Sequence, residues 1–303
     1  MIIVYNNPYF FGEGLFGQVL LFIFELLPKL SKINDEIYFN ISSILYGNKP
    51  DYTIIPGILI NNNIDTNNNI NNINNNNNNS EKIYIDIEVL RKEFTSKLTN
   101  NFHDMNKLFF KFFSIHPSIL NLVDELSNKY NISDCLGLHY RGTDKNKYCF
   151  DTDPITHDQF IFIISDYLIS NPHIKNIFLC SDEDNLYKKL KLFLPNTYKI
   201  INHSPKVFFK NNTNNNLEKA ISAMVDSLLL SRCKIVLKCQ SALSAFAKIF
   251  NPDLEIYRVT CCKLFSDVPY FPEAYIPKYK IKDDSNIILQ NLMNDIFRND
   301  WTK

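Results

Sequence analysis

Apolar and polar positions along the chain change period repeatedly between two and about 3.6. A short β-branched run at residues 2–5 predicts a strand. Behind it come a glycine loop (Gly12, Gly14, Gly17) and a helix-period stretch over 18–30 that halts near Pro28. Further strands are expected at 37–39 and 83–87, and Pro117 is well placed for the first turn of a helix running through Tyr130.

The second half is more regular. It predicts strands at 135–140, 176–180, 198–201, 235–238 and 255–259, with helices at 156–170, 183–193, 217–230 and 241–250 between them, and a last helix at 285–297. Strands alternating with helices of this length predict an α/β fold with a parallel, doubly wound sheet. Such a sheet takes its ligands at the carboxyl ends of its strands, which directs attention to the residues just after Tyr140, Cys180 and Lys238.

Composition adds an interruption and several exclusions. Residues 61–80 include fourteen Asn among scattered Ile, a tract too polar to offset its ordering entropy, and they are expected to form a solvated insertion. The 303 residues are enough for one large or two ordinary domains. Thirty-two basic and thirty-two acidic side chains cancel, so no general field draws the chain to nucleic acid or anionic lipid, and a bound phosphate must be held locally. The longest apolar run, 15–27, is broken by Gly17, Gln18 and Glu25 and falls short of the ~20 residues that span a bilayer. With no signal-peptide pattern at the N-terminus, a cytoplasmic protein is expected. Seven cysteines, none in a C-x-x-C pair, argue against structural zinc and against a disulfide framework. Cys135, Cys180 and Cys239 lie in or beside apolar stretches and are expected to be buried thiols.

The densest chemistry follows the strand at 135–140: His139-Tyr140-Arg141-Gly142-Thr143-Asp144-Lys145. Two fixed cations where a parallel strand ends suit an anion. Arg141 offers a planar fork, Gly142 permits close backbone approach, and Lys145 adds a mobile charge. The alternatives are an Arg141–Asp144 pair at a loop and a structurally satisfied His139. Asp226 stands inside an apolar helix, with Ala223 before it and Leu229 and Leu230 after, and a carboxylate so placed needs partners. Asp151-Thr152-Asp153 spells D-x-D, two carboxylates able to hold Mg²⁺ or Mn²⁺ against a diphosphate, or else a solvated loop.

The 139–145 cluster resembles the His-x-Arg-Gly-Thr-Asp-Lys signature of the fucosyltransferase-like superfamily, which includes α-1,6-fucosyltransferases, nodulation fucosyltransferases and protein O-fucosyltransferases. Two further segments follow in the family's order. The run Ile177-Phe178-Leu179-Cys180-Ser181-Asp182-Glu183-Asp184 is similar to its strand ending in Thr-Asp-Asp. The helix carrying Asp226 and the turn Gln240-Ser241-Ala242-Leu243-Ser244 resemble its third motif. In the first half, Gly12-Glu13-Gly14-Leu15-Phe16-Gly17-Gln18 looks like the family's glycine loop, which adds Gly14, Gly17 and Gln18 to the candidate donor-binding residues.

The resemblance implies a GT-B architecture: two Rossmann-like domains with parallel sheets facing a cleft. Residues 1–130 would form an acceptor-side domain carrying the 61–80 insertion, 131–280 the nucleotide-sugar domain, and 281–303 a helix packing back on the first. It implies inverting transfer of fucose from GDP-fucose to a hydroxyl on a glycan, peptide or lipid-linked acceptor, without a metal or any cofactor besides the donor. Arg141 would contact the β-phosphate and His139 the nucleotide, with Gly142, Asp144, Lys145, Ser181 and Asp182 nearby. Ser241 and Ala242 would offer phosphate the N-terminus of their helix, and Asp226 would accept from guanine. Some members place a Glu four residues after the motif's Lys as base; here Cys149 stands there, and Asp151 and Asp153 are the nearby substitutes. A metal-dependent D-x-D transferase and a non-catalytic nucleotide-sugar-binding protein are the alternatives.

Overall fold

The computed structural model describes residues 2–7, 15–16, 36–41, 46, 58–61, 82–85, 101–142, 154–202, 216–259 and 272–281. The chain divides into two compact units, Met1–Val123 with Val207–Val225, and Asp124–Lys206 with Asp226–Lys303.

The first unit holds a parallel sheet of β1 (Ile2–Asn7), β2 (Glu36–Ile41) and β4 (Lys82–Ile85) in the order β2-β1-β4. Strand β3 (Leu59–Asn61) pairs antiparallel with β5 (Phe113–Ile115). The strands expected near residues 2, 37 and 83 are all present. Helix α1 (Phe102–Phe112) was not foreseen: Asn101 caps it by accepting from the His103 and Asp104 amides, and Met105, Phe109 and Phe112 make its buried stripe. Asn61, the first residue of the Asn-rich tract, closes β3 opposite Phe113, and the rest of the tract expected to form a solvated insertion lies outside the described residues. Helix α2 (Pro117–Tyr130) occupies the expected span, with proline in its first turn.

The second unit is a five-stranded, all-parallel sheet in the order β10-β9-β6-β7-β8. Its strands are β6 (Cys135–Tyr140), β7 (Asn176–Ser181), β8 (Lys199–Asn202), β9 (Ile235–Lys238) and β10 (Glu255–Arg258). Between them along the chain run α3 (His157–Ser170), α4 (Asp184–Phe193), α5 (Asn216–Ser231), whose residues up to Val225 count with the first unit, and α6 (Ala242–Phe250). The α/β class expected from the sequence therefore stands, with a parallel sheet in each unit. The N-caps are Thr156, Glu183 and Ser241, which is why the expected helices began one residue early at those places. Thr156 and Gln159 form a reciprocal capping box.

Central strand β6 is buried throughout, as a parallel strand covered on both faces must be. Leu136, Leu138 and Tyr140 join one cluster with Ile177, Leu179 and Leu237 of the neighbouring strands and with Phe160, Ile164 and Leu186 of α3 and α4. The alternate positions turn to the other face. There Gly137 meets Cys233 and Val236 so closely that a Cβ would lie 2.9 Å from each, and His139 meets α6. Cys135, Cys180, Cys233 and Cys239 are buried free thiols, as expected for the three named from sequence. Among the described residues no helix is long and apolar enough to cross a membrane.

Candidate functional site

The sheet order places β7 and β8 on one side of β6 and β9 and β10 on the other. The chain's winding reverses between β6 and β9, and the crevice above the carboxyl ends of two such strands is where open α/β sheets bind ligands. Strand register sets His139 opposite Lys238 and Cys180, and Tyr140 opposite Ser181. The three places singled out in sequence thus meet at one edge.

Arg141 is fixed across the reversal. Its backbone N–H donates to the Cys239 sulfur at 2.9 Å, while the Cys239 amide donates to the His139 carbonyl at 2.9 Å. Burial pushes the Cys239 thiol up to about 12, so it stays a neutral thiol. His139 is 6% exposed, and its Nδ1 lies 2.9 Å from the Ser244 hydroxyl in the first turn of α6. Burial above all, then the charges of Lys238 and Arg141, bring His139 down to about 3. The imidazole is therefore neutral, in a place already positive.

Lys238 and Glu273 form a fully buried ion pair at 2.5 Å. Glu273 Oε1 also accepts the Ser241 N–H at 2.9 Å, which occupies the amide that sequence reasoning offered to phosphate. The donors left for a ligand at this helix are the amides of its first turn, which have no intrahelical acceptor. Ser241 stands at the N-cap without capping, its hydroxyl oxygen buried and lacking a hydrogen-bond partner among the described residues.

On the β7 side, Asp182 Oδ1 accepts the Gly142 N–H at 2.9 Å, so Asp182 holds the backbone just beyond Arg141. The Ser181 hydroxyl accepts the Glu183 N–H at 3.1 Å in a local turn. Gly142 also has a reason to be glycine inside the protein. A Cβ there would meet the Glu183 carboxyl at 2.6 Å and the Tyr140 ring at 2.7 Å.

Asp226 of α5 lies beside Cys180. The residue as a whole is half-buried, but its Oδ1 is sealed from water and has no hydrogen-bond partner among the described residues. Burial pushes its carboxyl up to about 7, against the opposing pull of a hydrogen bond with the Cys180 thiol. Such an acceptor is costly to leave unpaired.

His139, Arg141, Gly142, Ser181, Asp182, Ser241 and Ala242 are thus gathered at one sheet edge, with Asp226 close by on α5. Asp144, Lys145, Asp151, Asp153, Gly14, Gly17 and Gln18 lie outside the described residues, as does the expected helix at 285–297. Sequence reasoning gave no role to Lys238, Glu273, Ser244, His157 or Glu183. Lys238 is a charge ending an apolar strand, and Glu183 and Ser244 stand inside the segments that carry the resemblance; Glu273 and His157 had no local signal.

No known protein family and no curated protein matches the sequence. Solved structures do match the fold. The NodZ α-1,6-fucosyltransferase soaked with GDP-fucose aligns with a TM-score of 0.51 at 14% identity, over 83% of this chain and 92% of that one. The fucosyltransferase NodZ from Bradyrhizobium gives 0.51 at 14% identity over 83% and 93%. POFUT1 in complex with GDP aligns over 48% of this chain and 47% of its own at 13% identity, with a TM-score of 0.36. The chain has a fucosyltransferase-like fold.

Proposed function

We propose that this chain is a glycosyltransferase that moves fucose from GDP-fucose, with inversion at the anomeric carbon, to a hydroxyl acceptor. The observation that carries the reading is Arg141, an arginine anchored at the winding reversal beside the N-terminus of α6. The NodZ structure that shares the fold was soaked with GDP-fucose, which supports the choice of donor.

As the bond to the diphosphate breaks, the sugar becomes oxocarbenium-like and negative charge grows on the leaving β-phosphate. The Arg141 fork neutralises that charge bidentately. The first-turn amides of α6 and the spare Ser241 hydroxyl take the remaining oxygens. Because neutral His139 and the Lys238–Glu273 pair are already satisfied inside the protein, they hold these groups in place without competing for phosphate. Asp226 accepts from the guanine N1–H and exocyclic amine, which supply the donor that its Oδ1 lacks among the described residues of the free protein. With charge stabilisation assigned to Arg141, Lys145 and the α6 terminus, turnover is expected to survive excess EDTA.

Calorimetry of the purified chain with GDP, GDP-fucose, UDP and CMP tests the reading. GDP and GDP-fucose should bind at least ~100-fold more tightly than the pyrimidine nucleotides, the ~3 kcal/mol expected of a lost buried pairing. Equal or preferential binding of UDP overturns it.

A further inference from the structure

We propose that Glu183 is the general base of this transfer, with His157 the residue that positions it; the assignment rests on the glycosyltransferase reading above.

Glu183 occupies the N-cap of α4, a place where Ser, Thr, Asp or Asn is favoured, and its side chain makes no capping bond. The carboxyl is directed elsewhere. Its Oε2 lies 2.5 Å from His157 Nε2, across 26 residues. Its Oε1 lies against Gly142, 2.6 Å from where a Cβ would stand. A side chain at position 142 would have to displace the carboxylate or the Tyr140 ring.

His157 is fixed in turn. Its ring meets the Tyr140 ring edge-on with centroids 5.0 Å apart, and the Tyr140 hydroxyl donates to the Ile155 carbonyl at 2.7 Å. The Glu183 side chain is 27% exposed and that of His157 14%. This is open enough for a hydroxyl to reach the carboxylate and for a proton to leave, and closed enough to hold its orientation. Gly142 is one peptide step, ~3.8 Å between α-carbons, beyond Arg141. An inverting transfer needs its base on the face of the anomeric carbon opposite the leaving phosphate, so this carboxylate would serve the acceptor side of a sugar whose phosphate Arg141 holds.

The step is complete without a co-reactant. The acceptor oxygen forms its bond to the anomeric carbon as the bond from that carbon to the β-phosphate oxygen breaks, and the electron pair leaves with GDP. The hydroxyl proton passes to Glu183 Oε1 and then to solvent, while His157 keeps its hydrogen bond to Oε2.

Water can stand in for the acceptor, so the full-length chain is assayed for GDP release from GDP-fucose. Glu183→Gln should lower kcat by ~10²–10³-fold, within the range of general base catalysis. GDP affinity should stay within about threefold of wild type and Tm should hold, since Gln keeps the shape and a hydrogen bond to His157. The acid limb of the pH–kcat profile should vanish, and sodium azide, an anion that needs no base, should restore turnover to fucosyl azide. His157→Gln should lose ~10-fold and shift the acid limb. Wild-type kcat in Glu183→Gln overturns the assignment, as does a loss matched by weaker GDP binding that azide does not repair. Loss with azide rescue in Asp151→Asn or Asp153→Asn instead moves the base to that residue. A wild-type chain that binds neither GDP nor GDP-fucose overturns the glycosyltransferase reading itself.

Discussion

Arg141 and Cys239, 98 residues apart, are joined by a 2.9 Å hydrogen bond from the Arg141 backbone N–H to the Cys239 sulfur. The bond ties the end of β6 to the end of β9, so the guanidinium springs from a backbone that two strands define. Arg141→Lys keeps the charge and this backbone bond but loses the planar fork. We expect kcat/KM for GDP-fucose to fall at least ~100-fold and GDP affinity to weaken, with Tm unchanged within a degree or two. Near-wild-type turnover would remove Arg141 from the phosphate role.

His139 gives the fold a defined acid weakness. Its ordinary value of 6.5 is lowered to about 3, so between those limits the unfolded chain binds the proton that the folded chain refuses. The stability it contributes is fully present above about pH 6.5 and is lost as pH falls toward 3. His139→Gln cannot titrate and keeps a polar group facing Ser244. Its plot of Tm against pH should be shallower than wild type between pH 6 and 4; coincident slopes would show that other groups govern acid unfolding.

Glu273 balances a charge and positions a turn. It neutralises Lys238 at 2.5 Å, with both groups essentially out of water, and accepts the Ser241 N–H. Glu273→Gln leaves a buried ammonium without a counter-charge and should cost about 3–5 kcal/mol in denaturant unfolding. Lys238→Met combined with Glu273→Gln should recover much of that loss, because the isolated charge is gone. Additive losses in the double variant would show that the two do not act as a pair.

The same residues mark how far the sequence could be read. The alternation of Leu136, Leu138 and Tyr140 with smaller or polar neighbours identified β6, and Arg141 just after it pointed to the candidate site, because both signals are local. Thr156 and Gln159 show their capping box within four residues. Strands β3 and β5 are three residues each and draw their identity from antiparallel pairing rather than from period. The stripe of Met105, Phe109 and Phe112 in α1 was present in the sequence and was passed over among its polar neighbours. Glu273 lies 35 residues beyond Lys238, and Glu183 lies 26 beyond His157. No period or motif links such partners; only the folded sheet does.

Asp226 carries the sharpest test, because free and bound forms need opposite protonation. In the free chain burial raises its carboxyl from 3.8 to about 7, so the stability it supports is present below its unfolded value and lost as pH rises through about 7. Guanine requires the ionised form, which accepts two N–H donors at once. The terminal phosphate, which ionises near pH ~6, gives GDP and UDP a common pH dependence. Below pH 7 GDP binding should therefore release more protons than UDP binding, and its affinity should fall more steeply as pH is lowered from 7 to 5. Asp226→Asn removes one acceptor and should weaken GDP binding by about 1–3 kcal/mol, reduce its pH dependence to that of UDP and leave UDP unaffected. The variant should also lose the stability change near pH 7, since its amide has no charge to desolvate. Calorimetry in buffers of different ionisation enthalpy counts the proton directly. Proton release no greater for GDP than for UDP, or equal weakening of GDP and UDP in Asp226→Asn, would make the residue part of the scaffold beneath β7 and leave guanine to be read elsewhere.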